Sequence, residues 1–509
     1  MALKRPGYTP SDVVRARINV GAGFDIITGE WETGKHGESI LNGGLSTVTG
    51  YVGQGNQYKS TIEEYQNQTA MIRVMSHPDV DSYCNLYDTE TNKGRARIGY
   101  IIKYLQKLHD MPQFDFSDVS LEGDEKTAHL LKLEVTDASK HLADEWWSIT
   151  RDWLLDKRKS KGDYVETPFI DRDGKSLFKI PTPTFGGVDS VSEFITSNVE
   201  ETRDKAELGD SKGNMIFAQQ GLQKKRFIGE VPALCQSAGH YMSLVAQFTQ
   251  AIYFNPDDAK KPKVLQYMPQ GMKIKGVPVD FTFLTHNCWY MHGTTLCIND
   301  TTKSPDYPRD AAENISKSKD LVEVKVQNWR GKSGQSGIIH TVIASQAQGV
   351  LPSLTELHLL RNTRENPKEG PRSKMYGLGG NDISKFTADL YPGKVYTRTT
   401  IRSELDNDYK LRRAVNIACE MAQMATYWQG MDDVLVVPSV LYEDLIKLGY
   451  DWDILLASRG WWTLENDSPK HQYPFLSTLD LLHMRLGRYH PFWLESDKKT
   501  IKKAYRKDK

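Results

Sequence analysis

The run from Thr47 to Ser60 constrains this chain more than any other stretch. Thr47 to Val52 is a compact β-type segment, and Gly53-Gln54-Gly55-Asn56-Gln57-Tyr58-Lys59-Ser60 follows it without a break. Lys59 to Met75 is then spaced as a helix. A strand that turns through glycines into a helix N-terminus presents consecutive backbone N–H groups to an anion. An ammonium at the Lys59 position reaches the outer phosphates, and a hydroxyl at Ser60 holds Mg²⁺, with Thr61 next along the helix. Tyr58 stands where a glycine ordinarily precedes the lysine. The run therefore predicts an ATP and Mg²⁺ site over residues 53–61; an ordinary strand-to-helix turn is the alternative.

What surrounds the loop predicts the fold class. Ser82 to Tyr87 reads as a second strand, and Ile98 to Leu108 and about Lys126 to Leu155 have helical spacing. Val279 to Thr285 alternates as a strand ending at His286-Asn287, and Leu321 to Val326 pairs with Ile338 to Ala344 as a hairpin. Strands alternating with helices over residues 45–290 predict an α/β core around a mostly parallel sheet. Beyond a basic, Pro- and Gly-rich loop at 361–380, Leu411 to Trp428 is helical and Val434 to Val437 reads as a short strand. The expected division is an N-terminal segment (1–35), the core (36–360), a C-terminal accessory domain (361–497) and a basic tail (498–509).

Composition removes other classes. At 509 residues, the chain is too long for one ordinary domain. Hydrophobic residues at 39% and charged residues at 26% exclude collagen-like, fully disordered and disulfide-scaffold chains. No run of eighteen apolar residues occurs, so no membrane span is expected. The N-terminus lacks the apolar stretch of a secretory signal. The five cysteines suit a reducing, cytoplasmic setting. The 65 basic and 65 acidic side chains balance, so a nucleic-acid site has to be a local patch.

Two carboxylates complete the candidate centre. Tyr87-Asp88-Thr89-Glu90 puts Glu90 just past the strand after the loop, where it can orient a water for attack on phosphorus or simply form an acidic turn. Asp189 follows a strand broken by Pro181, Pro183, Gly186 and Gly187, and reaches Mg²⁺ through water.

With these motifs in order, the sequence resembles the RecA family of P-loop ATPases, and within it the UvsX-type phage strand-exchange recombinases. That branch carries an aromatic residue before the loop lysine, as Tyr58 does. Asp12-Val13-Val14-Arg15, His77-Pro78-Asp79-Val80 and Thr285-His286-Asn287 are similar to corresponding stretches there. The resemblance spans residues 10–345 and implies a RecA-like core in which Glu90 activates water, with the N-terminal segment 1–35 as a protomer contact. It further implies that His286 or Asn287 senses the γ-phosphate, and that Lys325, Arg330 and Lys332 reach a neighbouring protomer's nucleotide.

The resemblance also implies two DNA-binding loops. One falls within residues 196–229 and contains Lys224, Lys225, Arg226 and Phe227; the other begins at Cys288-Trp289-Tyr290 and runs to about Lys319, with Trp289 and Tyr290 as its aromatic residues. Basic and aromatic side chains together suit single-stranded DNA, although a solvated face and core packing respectively are the plain alternatives. His286, Cys288, His292 and Cys297 are zinc-ligand types in no common finger spacing. The implied activity is DNA-dependent ATP hydrolysis by a filament that pairs single-stranded with homologous duplex DNA, aided by a mediator or single-strand-binding protein. A ring-forming helicase motor and a degenerate nucleotide-binding scaffold are the rivals.

Overall fold

Side-chain alternation along the strands decides how the sheet is covered. In the computed structural model, β1 (Val48–Gly53), β2 (Cys84–Asp88), β3 (Leu133–Asp137), β4 (Thr184–Asp189), β5 (His240–Gln250), β6 (Met272–Ile274), β7 (Asn287–Leu296), β8 (Leu321–Gly331), β9 (Ile339–Ser345) and β10 (Gly349–Val350) form one sheet. On β5, Met242, Leu244, Ala246 and Phe248 enter one buried apolar layer, while Tyr241 and Val245 enter the other. Successive strand side chains point to opposite faces, so such a strand is buried on both sides. The structure describes residues 16–506 except 78, 81, 92, 94, 109–132, 160–163, 172, 205–211, 252–256, 258–265, 279, 332–334 and 429.

The spatial order is β10-β9-β8-β7-β1-β5-β4-β2-β3, with β6 paired to β5. The six strands from β7 to β3 in that order are mutually parallel, and β8, β9 and β10 add antiparallel neighbours. The protein is thus a mixed α/β fold with a large, mostly parallel central sheet, as the alternating pattern predicts.

Helices cover both faces. α1 (Lys59–Val74) packs Ile62, Tyr65 and Met71 into the layer that holds Tyr51, together with α2 (Arg95–Leu108). On the other face lie Trp146, Trp147 and Leu154 of α3 (Ala143–Lys159) and Ile228 and Val231 of the helix ending at Ala238. Between these two come α4 (Ser197–Asp204) and the start of that same helix, α5 (Lys212–Ala238). β4 is a regular strand despite its glycines. A Cβ at Gly187 would collide with Glu63 of α1, so the glycine lets helix and sheet approach.

Three elements differ from the sequence reading. Residues 133–137 form β3 inside a segment expected to be helical. Residues 280–284 form a short helix, α6 (Asp280–Leu284), where a strand is expected, and the strand begins only at Asn287. Residues 434–437 are not a strand but lead into the helix Pro438–Lys447. A short apolar run fits either period, and a partner strand settles it: residues 133–137 pair with β2, whereas 280–284 and 434–437 join no strand.

α7 (Pro352–Asn362) and α8 (Tyr409–Tyr427) anchor an apolar core that runs continuously across residue 360, from Leu321 and Ile343 to Leu494. The basic end is tied down as far as it is described: Lys502 Nζ donates to Phe492 O at 2.6 Å and Lys498 Nζ to Leu448 O at 2.9 Å. Among the described residues, no helix is long and apolar enough to cross a membrane.

Candidate active site

Register lines up the strand ends that matter. Gly53 pairs with Gln247 across β1 and β5, Asp189 with Val245 across β5 and β4, and Asp88 with Asp189 across β4 and β2. The glycine loop, Gln247, Asp189 and the turn holding Glu90 therefore share the carboxyl edge of the parallel strands, where open α/β sheets form their ligand crevice.

The loop has the backbone its sequence needs. Tyr58 caps α1 at φ 60°, ψ 24°, and Asn56 has φ 58°. This left-handed conformation costs a non-glycine residue roughly 1–2 kcal/mol. Tyr58 thus keeps the shape that a glycine supplies more cheaply, and its partly buried ring packs beside the apolar layer of α1. Nothing lies within 4 Å of a Cβ placed on Gly55. The Gln57 side chain accepts from Gln54 N at 2.9 Å, and Lys59 Nζ folds over the loop to donate to Gln54 O at 2.7 Å. Burial pulls the Lys59 ammonium below its ordinary pKa, while Asp189 and Glu90 counteract it. Lysine and both carboxylates are therefore electrostatic neighbours.

The turn after β2 is held by Asp88, which accepts from Glu90 N at 3.0 Å and from Lys93 N at 2.8 Å. Thr89 N donates to Asp189 O at 2.7 Å, tying that turn to β4. Glu90 Oε1 accepts from Gln247 Nε2 at 3.1 Å, and Gln247 Oε1 accepts from Lys275 Nζ at 3.3 Å. Lys275 also pairs with Glu193 at 2.7 Å, so a polar chain joins Glu90 to the segments following β4 and β6.

Beneath the loop lies a buried charge cluster. Lys93 Nζ sits 3.2 Å from Glu63, 3.1 Å from Glu64 and 3.3 Å from Asp189, with all four side chains buried. Burial lifts the Glu63 carboxyl to about 7 against the pull of Lys93. Burial would lower the Lys93 ammonium, but its three carboxylates hold it well above the ordinary lysine value. Ser190 Oγ is buried with no hydrogen-bond partner beside this edge. The oxygen donors of Ser60 and Asp189 are the hard ligands that Mg²⁺ takes, and the open space over Gly55 leaves the loop accessible, so the residues fit a nucleotide with its metal.

Other expected residues lie elsewhere. Asn287 pairs with Thr49 at the amino end of β1, and His286 N donates to Val48 O. His286 Nδ1 lies 2.8 Å from Thr47 Oγ1 and its Nε2 2.8 Å from the Gln236 amide, while Asn287 donates to Ser46 Oγ at 2.8 Å. Because residues 280–284 are helical, His286 and Asn287 enter the sheet instead of leaving it, and the polar strand end facing Glu90 is Gln247. Trp289 and Tyr290 are corrected likewise. Both are buried in β7, Trp289 edge-on to Phe24 at 5.0 Å and Tyr290 stacked on Trp329 at 4.5 Å.

The expected basic loop is largely helix α5 in its described part. Lys224 is buried and donates to Ser192 O at 2.7 Å; burial lowers its pKa to about 8. Phe227 is wedged between Phe194 at 4.7 Å and Trp147 at 4.8 Å, which removes both from the set able to meet DNA. Lys225 and Arg226 are exposed on the same helix.

Lys325 is exposed on β8, opposite Gly293 and near the loop edge. Arg330 lies at the other end, where it donates to Thr282 O at 3.0 Å and covers Phe283. Lys332 lies outside the described residues, as do Asp12-Val13-Val14-Arg15 and Pro78. His286, Cys288, His292 and Cys297 do not gather into one cluster; of them, Cys297 alone joins a metal-ligand group among the described residues.

Sequence reasoning missed Gln247, Lys93 and Lys275. A signal for Gln247 was present: the one polar residue in the run Leu244 to Phe248, near the end of the strand. No protein-family model matches the chain, and none of the curated proteins matches it in sequence.

Proposed function

We propose that this chain is an ATP-hydrolysing DNA recombinase of the RecA type that works as a head-to-tail helical filament on single-stranded DNA. The observation that carries the reading is the convergence of Lys59, Ser60, Glu90 and Asp189 on one carboxyl edge, with Gln247 bonded to Glu90. The left-handed Tyr58 supports it further, since the tyrosine does not destroy the loop geometry.

On this reading, the loop amides and Lys59 bind and orient the phosphates, and Glu90 accepts a proton from the attacking water. Mg²⁺, held through Ser60 and Asp189, supplies charge neutralisation at the phosphates when bound. Gln247 passes the state of the site to Lys275 and Glu193, and through them to the described segments 194–204 and 266–271. Those segments, together with Lys225 and Arg226, are the DNA-contact candidates. Lys325 is the described basic residue best placed to act across a protomer contact. A heterologous contact that does not close generates a filament. The setting is the bacterial cytoplasm during phage DNA recombination, repair and replication, with homologous duplex DNA as the second substrate and a mediator or single-strand-binding protein as accessory.

The test is electron microscopy of the purified chain with ATP and long single-stranded DNA, together with phosphate release from the same sample. Helical filaments with DNA-stimulated turnover that Lys59→Ala abolishes are expected. Closed rings that unwind duplex point to a helicase motor, and absence of both assembly and turnover refutes the ATPase reading.

A further inference from the structure

A second cluster lies at the antiparallel side of the sheet, independent of the nucleotide edge. Cys297 directly follows β7, Glu323 is on β8 and His358 is on α7. Their ligand atoms all lie within 4.8 Å of one another, with His358 Nε2 3.8 Å from Glu323. Cys297 is fully buried and His358 nearly so, while the Glu323 side chain is 24% exposed and opens a route from solvent.

A fourth group lies nearby, outside the 4.8 Å set. Asp306 N donates to Cys297 O at 3.1 Å, so its turn folds back onto the end of β7. The Asp306 side chain is buried, and its Oδ1 has no hydrogen-bond partner, while an oxygen of the same carboxylate, Oδ2, accepts from Arg361 Nη1 at 2.6 Å. A buried carboxylate oxygen without a donor is costly unless a cation completes it. Asp306 also lies close enough to influence Cys297, Glu323 and His358 electrostatically.

We propose that Cys297, Glu323 and His358, with Asp306 as fourth ligand, form a Zn²⁺ site that staples β7 and β8 to α7. Sulfur, imidazole and carboxylate donors in a four-membered set are the ligands of borderline divalent ions and not of Mg²⁺. Tetrahedral zinc holds its ligands at about 2.0–2.3 Å, so binding draws the three clustered side chains together by roughly an ångström and Asp306, which stands outside that group, by more. The S–H bond of Cys297 is replaced by a metal–sulfur bond and its proton passes to solvent.

The surroundings match. His358 Nδ1 lies 3.2 Å from Tyr307 Oη, which also accepts from Arg361 Nη1 at 3.2 Å. A hydroxyl can accept from both, and the tautomer that donates from Nδ1 leaves Nε2 its lone pair for the metal, the usual outer-shell arrangement for a ligating histidine. Thiolate, two carboxylates, Zn²⁺ and the Arg361 guanidinium sum to zero charge, so the filled site is neutral within its walls.

The test uses the full chain, stripped with chelator and then given Zn²⁺ or Co²⁺ alone. One equivalent of zinc retained through gel filtration is expected, and Co²⁺ should give intense tetrahedral ligand-field bands with a sulfur-to-cobalt charge-transfer band. Cys297→Ser should abolish that charge-transfer band, and His358→Gln and Glu323→Gln should each weaken Zn²⁺ at least ~10- to 100-fold. Cys419→Ser, at a buried cysteine that is not one of the clustered ligands, should leave both signals unchanged. Glu323→Gln alters a partly exposed side chain, and circular dichroism checks its fold. Absence of a stoichiometric ion, or a charge-transfer band that persists in Cys297→Ser, overturns the site.

Discussion

Replacing Lys93 with methionine removes the one cation from a buried group of three carboxylates. The ammonium lies 3.1–3.3 Å from Glu63, Glu64 and Asp189, with no side chain in the group more than 5% exposed. Breaking a buried ion pair by deleting one partner costs about 3–5 kcal/mol, because the remaining charge is stranded. The cost depends on pH in a direction that can be worked out. Glu63 titrates at about 7 when folded and near 4.5 otherwise, so its folded state takes up a proton and loses stability as pH rises through that window. Without Lys93, the Glu63 value moves higher still. If it passes about 8, the variant suffers one further pH unit of loss, about 1.4 kcal/mol, that the parent does not. A chain of this size need not unfold in two states, so the assay is native-state hydrogen exchange of α1 amides in Lys93→Met relative to parent. Exchange should accelerate by roughly two to four orders of magnitude near pH 8, and about tenfold less near pH 5.5. Equal acceleration at both pH values, or none at all, would falsify the buried-cluster argument.

Five further outcomes are expected. Glu90→Gln should bind nucleotide within about threefold of the parent yet slow turnover at least ~100-fold, and Gln247→Ala should keep basal turnover while losing stimulation by single-stranded DNA; phosphate release with and without DNA separates them. Phe227→Ala should cost about 3–5 kcal/mol by chemical denaturation, as a packed aromatic does. Arg226→Ala should change stability by no more than ~0.5 kcal/mol while lowering DNA affinity and its salt dependence, read by fluorescence anisotropy. Glu356 is fully buried, and burial lifts its carboxyl from 4.5 to about 8, although Asn416 donates to it at 3.0 Å. The parent should therefore lose on the order of 5 kcal/mol as pH climbs through that range, and Glu356→Gln should flatten the loss. Melting temperatures across pH check this, and parallel curves for parent and variant count against it.

Local features were legible in the sequence because local chemistry produces them. The strand, glycine loop and helix from Val48 to Val74 follow from residue order alone, and so does the hairpin that β8 and β9 make. Glu90 was placed at its turn by strand length and an acidic tetrapeptide. Tyr58 departs from the usual glycine, and only its backbone conformation shows how the loop tolerates it.

The remaining features depend on which strands become neighbours. β4 and β5 lie between the loop strand and β2, although β2 comes next along the chain, so the residue facing Glu90 comes from 157 positions away. Nothing in the spacing of Gln247, or of Lys93 beneath Asp189, announces that partnership. The same holds for His286, Trp289 and Phe227, whose types suit a ligand as well as a core. Residue type fixes what a side chain is able to do, and local order fixes helix, strand and loop. Long-range pairing, driven by burial of both sheet faces, decides which side chains meet and which are consumed in packing.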